Sequence, residues 1–159
     1  MSVTLDRSRH TPPYRLENPD AAMCCRLTSP LVPRTCAGSF PGRRDTIRNA
    51  RTFLAAFLGP CAATDDAVLL ASELCANAVA HSASGQPGGT FTLRARLTND
   101  GRLHAEVEDQ GSPWNGNLAA ASSPHGLYLL RELSADCGAR PGSQGWVTWF
   151  TIAAPASCP

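Results

Sequence analysis

The sequence contains no lysine, and all fourteen of its basic residues are arginine. That absence excludes Schiff-base chemistry, a lysine general base and the phosphate-cradling P-loop, which needs its lysine. Cysteine occurs seven times, at Cys24, Cys25, Cys36, Cys61, Cys75, Cys137 and Cys158. The number is odd and no pair has Cys-x-x-Cys spacing, so neither a zinc site nor a full disulfide framework is expected. Small buried thiols in a reducing compartment are the simpler reading. No stretch approaches the roughly 20 apolar residues that span a bilayer. The N-terminus lacks a charged region followed by an apolar run, so no secretory signal is expected. A cytoplasmic protein with no membrane partner follows as the expectation.

Hydrophobic residues make up 43% and charged residues 17% of the 159, enough for a packed core. The length suits one domain and is short for a barrel enzyme. A net charge of +1 supplies no global field to draw in nucleic acid, and no direct nucleic-acid partner is expected. The charge is uneven, however. Residues 1–36 are net +2, residues 37–58 net +3 and residues 59–159 net −4.

Residues 1–36 hold five prolines and no sustained period. They read as an irregular, mobile extension with room for a short ordered piece near the domain, followed by a domain over 37–154 and a tail over 155–159. A short strand ends at Phe40. From Arg43 to Leu58 a helical period places Ile47, Ala50, Leu54, Phe57 and Leu58 on one face and Arg44, Arg48 and Arg51 on another. That basic face is either solvated or a partner surface. Gly59-Pro60 ends the helix. A second helix runs from an N-cap at Thr64 to about His81, with Asp65 and Asp66 in its first turn. Ser84 to Gly89 reads as a plain turn. Phe91–Leu97 and Leu103–Val107 alternate apolar and polar residues around Asn99-Asp100-Gly101, which predicts an antiparallel hairpin. A long Gly, Ser, Pro and Ala loop over 110–125 follows, then a helix over about 126–135, a strand over 136–139, a turn over 140–145 and a strand over 146–152. This order predicts an α+β fold, with helices on one face of a mainly antiparallel sheet.

Three features carry chemistry. On the second helix, Val68, Ser72, Cys75 and Val79 fall on one side, and Glu73, Asn77 and His81 fall within about 80° of one another on the opposite side. Leu70 and Leu74 lie beside or within that polar stripe, which suits the floor of a cleft as well as an ordinary exposed face. Asp109 ends the hairpin ahead of Gln110-Gly111. It is either turn chemistry or a carboxylate fixed on a strand to accept a hydrogen bond from a ligand amine, with Gly111 permitting close approach. Pro124-His125-Gly126-Leu127 opens into a helix, whose first N–H groups can hold a phosphate.

Glu73 to Ser82 resembles the N-box of the gyrase and histidine-kinase (GHKL) ATPase superfamily. Val107-Glu108-Asp109-Gln110-Gly111 resembles its adenine-binding box, and His125-Gly126-Leu127 its second glycine box. Over roughly residues 38–153 the chain is most similar to the small anti-sigma-factor serine/threonine kinases, ATP-binding regulators abundant in actinomycetes. The resemblance implies a two-layer α/β sandwich of Bergerat type, with a mainly antiparallel mixed sheet. It implies ATP and Mg2+ as cofactors. Asn77 would be the Mg2+ ligand and Glu73 the general base or orienting group for the attacking hydroxyl. Asp109 would accept the adenine amine, with Gly111 lining the base pocket. Gly126 and Leu127 would lie near the phosphates, and residues 112–125 would form a short lid. His81 and Ser82 match family positions without an assigned chemistry.

Two residues depart from the family pattern. Pro113 stands where a second glycine is usual in the adenine box, and Pro124 replaces the first glycine of the second box. Proline has no N–H to offer a phosphate. The leading expectation is transfer of the ATP γ-phosphoryl group to a Ser or Thr of an anti-sigma-factor antagonist, together with sequestration of a sigma factor, and the resemblance implies a homodimer. The alternatives are a nucleotide-dependent protein-binding module without useful kinase activity, and an interaction domain that has lost ATP.

Overall fold

Alternation along the strands decides which face of the sheet meets the helices. The structure, a computed structural model, describes residues 3–4, 33–60, 62–111 and 124–153. In chain order the strands are β1 (Val3–Thr4), β2 (Arg34–Pro41), β3 (Thr90–Leu97), β4 (Leu103–Glu108), β5 (Asp136–Pro141) and β6 (Trp146–Ile152). The helices are α1 (Ile47–Leu58), α2 (Ala62–His81) and α3 (Pro124–Leu133). The sheet order is β1-β2-β3-β4-β6-β5, and every described ladder is antiparallel. This is the expected α+β sandwich.

Successive strand residues point to opposite faces. Cys36 and Phe40 of β2, Phe91, Leu93 and Ala95 of β3, Ala105 and Val107 of β4, and Phe150 of β6 are buried under the helices. Phe40 stacks on Phe91 with ring centroids 5.6 Å apart and meets Phe53 of α1 edge-on at 5.7 Å. The opposite face mixes charged residues with Val147 and Trp149 and carries no described helix, an arrangement open to antiparallel sheets. There the register sets Arg94 across from Glu106 and Arg96 across from His104. A cavity of about 420 Å³ lies on this face, lined by Thr35, Ala37, Arg94, Arg96, His104 and Glu106 among others.

The helices depart from the sequence reading in detail. Residues 44–46 form a 3-10 turn, so α1 begins at Ile47. Ala50 and Leu54 are its buried residues, and Arg44, Arg48 and Arg51 are exposed, as the period predicts. α2 begins at Ala62, so Thr64 is not its N-cap. Its hydroxyl donates to the Gly59 carbonyl at 2.7 Å and ties α2 to the end of α1. The buried stripe of α2 is Ala67, Leu70, Ala71, Leu74, Cys75 and Ala78, whereas Val68, Ser72 and Val79 are only partly buried. Leu70 and Leu74 are therefore core residues. Glu73 and Asn77 lie beside the core stripe, not opposite it. The cause is that α2 is covered on more than one side, by the sheet and by both other helices, so polarity alone does not mark its buried face. α3 starts at Pro124, two residues ahead of the expected start. The first position of a helix suits proline, because its missing N–H has no intrahelical partner there.

β2 begins at Arg34, inside the stretch read as irregular. Of the lid expected over 112–125, residues 124 and 125 begin α3. Most of the irregular stretch, residues 112–123 of that lid, and residue 154 with the tail over 155–159 lie outside the described residues. So do Cys24, Cys25, Cys61, Cys158 and Pro113. Cys36 and Cys75 are buried free thiols and Cys137 is half-buried and free. Burial pushes the Cys75 thiol up to about 12 and the Cys36 thiol up to about 11. No helix among the described residues is long and apolar enough to cross a membrane.

Candidate functional site

The acids at the end of β4 divide between two environments. Glu106 and Glu108 project onto the helix-free face. Arg140 donates to Glu106 at 2.7 Å and Arg94 to Glu108 at 2.7 Å. Glu108 is only 8% exposed. Its Oε1 accepts from the Ser143 hydroxyl and the Ser143 N–H, both at 2.6 Å, and from the Gln144 N–H at 3.3 Å. The Ser143 hydroxyl, with Arg94 and the two backbone donors, outweighs burial and holds the Glu108 carboxyl down to about 2.

Asp109 follows directly and is held differently. Its backbone N–H donates to the Trp146 carbonyl at 2.9 Å, which extends the β4–β6 ladder by one bond. Its Oδ1 accepts from the Gly111 N–H at 2.7 Å and the Trp146 N–H at 3.0 Å. Its Oδ2 makes no hydrogen bond to another described residue. Gly111 has φ +84°, and Gly145 sits so close that a Cβ there would lie 2.0 Å from Gly111 N and 2.6 Å from Asp109 Oδ1. A side chain at 145 is incompatible with this packing. The result is a carboxylate with one oxygen fixed by two backbone donors and the other left to accept from elsewhere, which suits an exocyclic amine.

The end of α2 is tied to the same loop. The Ala83 N–H donates to the Gly111 carbonyl at 2.8 Å, and the Gln110 N–H donates to the Ser84 hydroxyl at 3.0 Å. The Gln110 side chain in turn accepts from the Thr90 N–H at 3.0 Å. Ser84 is fully buried, and a Cβ at Gly42 or Gly89 would lie 1.6 Å or 2.2 Å from its carbonyl. The segment read as a plain turn is thus a packed junction between α2, β3 and the Asp109 loop. At 1.5 Å of rise per residue, Asn77 lies about 6 Å back along the helix from His81, the last residue of α2, and Glu73 about 6 Å further. Both side chains are half-buried. Glu73 makes no hydrogen bond to another described residue. His81 is exposed. Ser82 is buried and ends the helix, with its hydroxyl donating to the Ala78 carbonyl at 2.7 Å and accepting from the Ser84 N–H at 3.0 Å. Gly126 is buried in the first turn of α3, which packs on α2, and Leu127 follows it there.

The donor set fits a nucleotide and a hard cation. An amide and a carboxylate one helical turn apart offer oxygens on the flank of α2, and Asp109 offers an aimed acceptor. The sequence reading placed Glu108 in the adenine-box motif without a role of its own, and missed Ser84, Ser143 and Gly145. Gly145 had a signal, a glycine directly ahead of the last strand. Ser84 and Ser143 are ordinary turn serines by sequence and had none.

No curated protein sequence matches this chain significantly. Twelve solved chains do match. Among them is the crystal structure of the RsbU and RsbW domains of Rv1364c from Mycobacterium tuberculosis, with a TM-score of 0.53 and 23% identity over 76% of this chain. That match covers 33% of the solved chain, so the present chain spans about a third of it, and the likeness speaks to the fold. A family model described as a histidine kinase-like ATPase domain matches residues 40–152. That span contains α1, α2, the Asp109 loop, α3 and both closing strands, and with most of its length so matched the chain belongs to the histidine kinase-like ATPase domain family.

Proposed function

We propose that this chain is an ATP-binding regulatory kinase. It would transfer the γ-phosphoryl group of ATP to a Ser or Thr hydroxyl of an anti-sigma-factor antagonist, and hold a sigma factor when that antagonist is phosphorylated or absent. The observation that carries the reading is Asp109. Its Oδ1 is locked by the Gly111 and Trp146 N–H groups, which leaves Oδ2 to accept from the adenine amine while Gly111 lets the base lie against the backbone. Asn77 would hold Mg2+ through its side-chain oxygen, and the ion would supply positive charge to offset that of the phosphates. Glu73 would accept the proton of the attacking hydroxyl as its oxygen bonds to the γ-phosphorus and the bond to the departing ADP oxygen breaks. Gly126 and Leu127 would border the phosphates at the start of α3. The exposed Arg44, Arg48 and Arg51 of α1 are the candidate contacts for an acidic surface on the protein partner. The setting is cytoplasmic, and a homodimer fits the family.

Glu73→Gln tests the catalytic assignment. It should keep ATP affinity and abolish transfer of radiolabelled phosphate to an antagonist protein. Undiminished transfer would remove Glu73 from that role. A second reading, a nucleotide-dependent binding module with no useful transfer, draws on Pro124. It places a residue without an N–H at the first position of α3, where a phosphate-binding helix would offer a donor. In that case wild type binds ATP and its partner but moves no phosphate.

A further inference from the structure

We propose that Glu108 is a positioning residue of the nucleotide site, pinning the β5–β6 turn from which Gly145 and the Trp146 N–H aim the Asp109 carboxylate. The inference rests on the reading of Asp109 as the adenine acceptor, and goes beyond it by naming what keeps that acceptor aimed.

Two successive carboxylates grip one turn from opposite sides. Glu108 accepts from Ser143 and Gln144, and Asp109 accepts from Trp146 two residues on. The turn closes on itself through the Gly142 N–H and the Gly145 carbonyl at 2.8 Å. Residues 142–145 therefore move as one piece. Gly142 is what lets that piece settle over Glu108, since a Cβ there would lie 2.7 Å from Glu108 Oε1 and 2.9 Å from a Val147 methyl. Arg94 holds the other oxygen of Glu108 at 2.7 Å, so the anchor itself is fixed. β5 is an edge strand bonded only to β6 among the described residues, and Ser143 and Gln144 are exposed residues. Without the Glu108 bonds this turn would be a surface loop with few contacts, the kind of segment that opens locally at low cost. A shift of 143–144 passes through Gly145 to the Trp146 N–H, and so to Asp109 Oδ1. Glu106, one register pair away on the same face, bonds Arg94 and Arg140 but not the turn, which makes it the natural control.

The experiment is calorimetric titration of wild type, Asp109→Asn, Glu108→Gln, Ser143→Ala and Glu106→Gln with ATP and with GTP. It is done at a temperature where circular dichroism shows each variant folded. GTP carries a carbonyl where adenine has its amine, so the ratio of the two affinities reads the aim of Asp109. Glu108→Gln should lose about tenfold in ATP affinity and little in GTP affinity, as expected when one acceptor geometry is spoiled. Ser143→Ala should show a smaller loss in the same direction, and Glu106→Gln none. If Glu108→Gln does not fold, Ser143→Ala decides. Wild-type affinity and wild-type ATP/GTP discrimination in Glu108→Gln or, failing that variant, in Ser143→Ala, with only a lower Tm, overturn the positioning role and leave the nucleotide site intact. Failure of wild type to bind ATP, or binding that is unaffected by Asp109→Asn, overturns both.

Discussion

Replacing Gly145 with alanine perturbs the candidate site through backbone packing alone. The added Cβ would lie 2.0 Å from Gly111 N and 2.6 Å from both Gly111 Cα and Asp109 Oδ1. Relief to even the shortest tolerated contact needs a shift of about 1 Å. The Trp146 N–H now sits 3.0 Å from Asp109 Oδ1, and the same shift carries it past the roughly 3.5 Å at which the bond is effectively gone. One hydrogen bond to a charged acceptor is then lost, worth about 1.5–3 kcal/mol. Tm should fall by several degrees. ATP affinity should fall about tenfold or more, since each 1.4 kcal/mol is a decade. Calorimetric titration with ATP and a thermal melt read the two effects separately. Gly59→Ala is the control. Gly59 also has a positive φ, +75°, with ψ −178°, but nothing lies within 4 Å of the added carbon, so it should lose about 1–3 kcal/mol of stability to strain and no ATP affinity. A Gly145→Ala protein that melts early yet binds ATP like wild type would refute the claim that this packing aims Asp109.

Acid should weaken the Glu108 clamp in a defined window. The native carboxyl is held at about 2 against an ordinary 4.5, so its contribution is complete above pH 4.5 and is lost as pH falls through 2. The contribution is at most about 3 kcal/mol, and Glu108→Gln should flatten the stability profile between those limits in a denaturant titration at each pH. Leu70 is fully buried and Leu69 beside it is 39% exposed. Leu70→Ala should therefore cost about 3–4 kcal/mol and Leu69→Ala under about 0.5 kcal/mol by urea unfolding. Equal losses would show that α2 is rotated from the face described.

Strand positions were legible because alternation is a local signal. The hairpin over Phe91–Val107 and the strand at Trp146–Ile152 appear within a residue or so of where the pattern puts them. The faces of α2 were not, because a helix covered on several sides buries Ala and Leu together and leaves Glu73 and Asn77 beside the core stripe. Asp109 was legible as a strand-end acid before glycine. The partners that orient it were not, because Trp146 is 37 residues away and contributes only its backbone. The same holds for Ser143, which reaches Glu108 across 35 residues. A sequence shows which residues are capable of chemistry. The antiparallel return of β5 and β6 determines which of them meet.

The most direct test of the account is calorimetric titration of the wild-type protein with ATP and Mg2+, beside Asp109→Asn. The account predicts saturable one-site binding by wild type and a loss of at least about tenfold in the variant, the cost of removing one charge-assisted acceptor. No binding to well-folded wild type, or equal binding by both proteins, would contradict it.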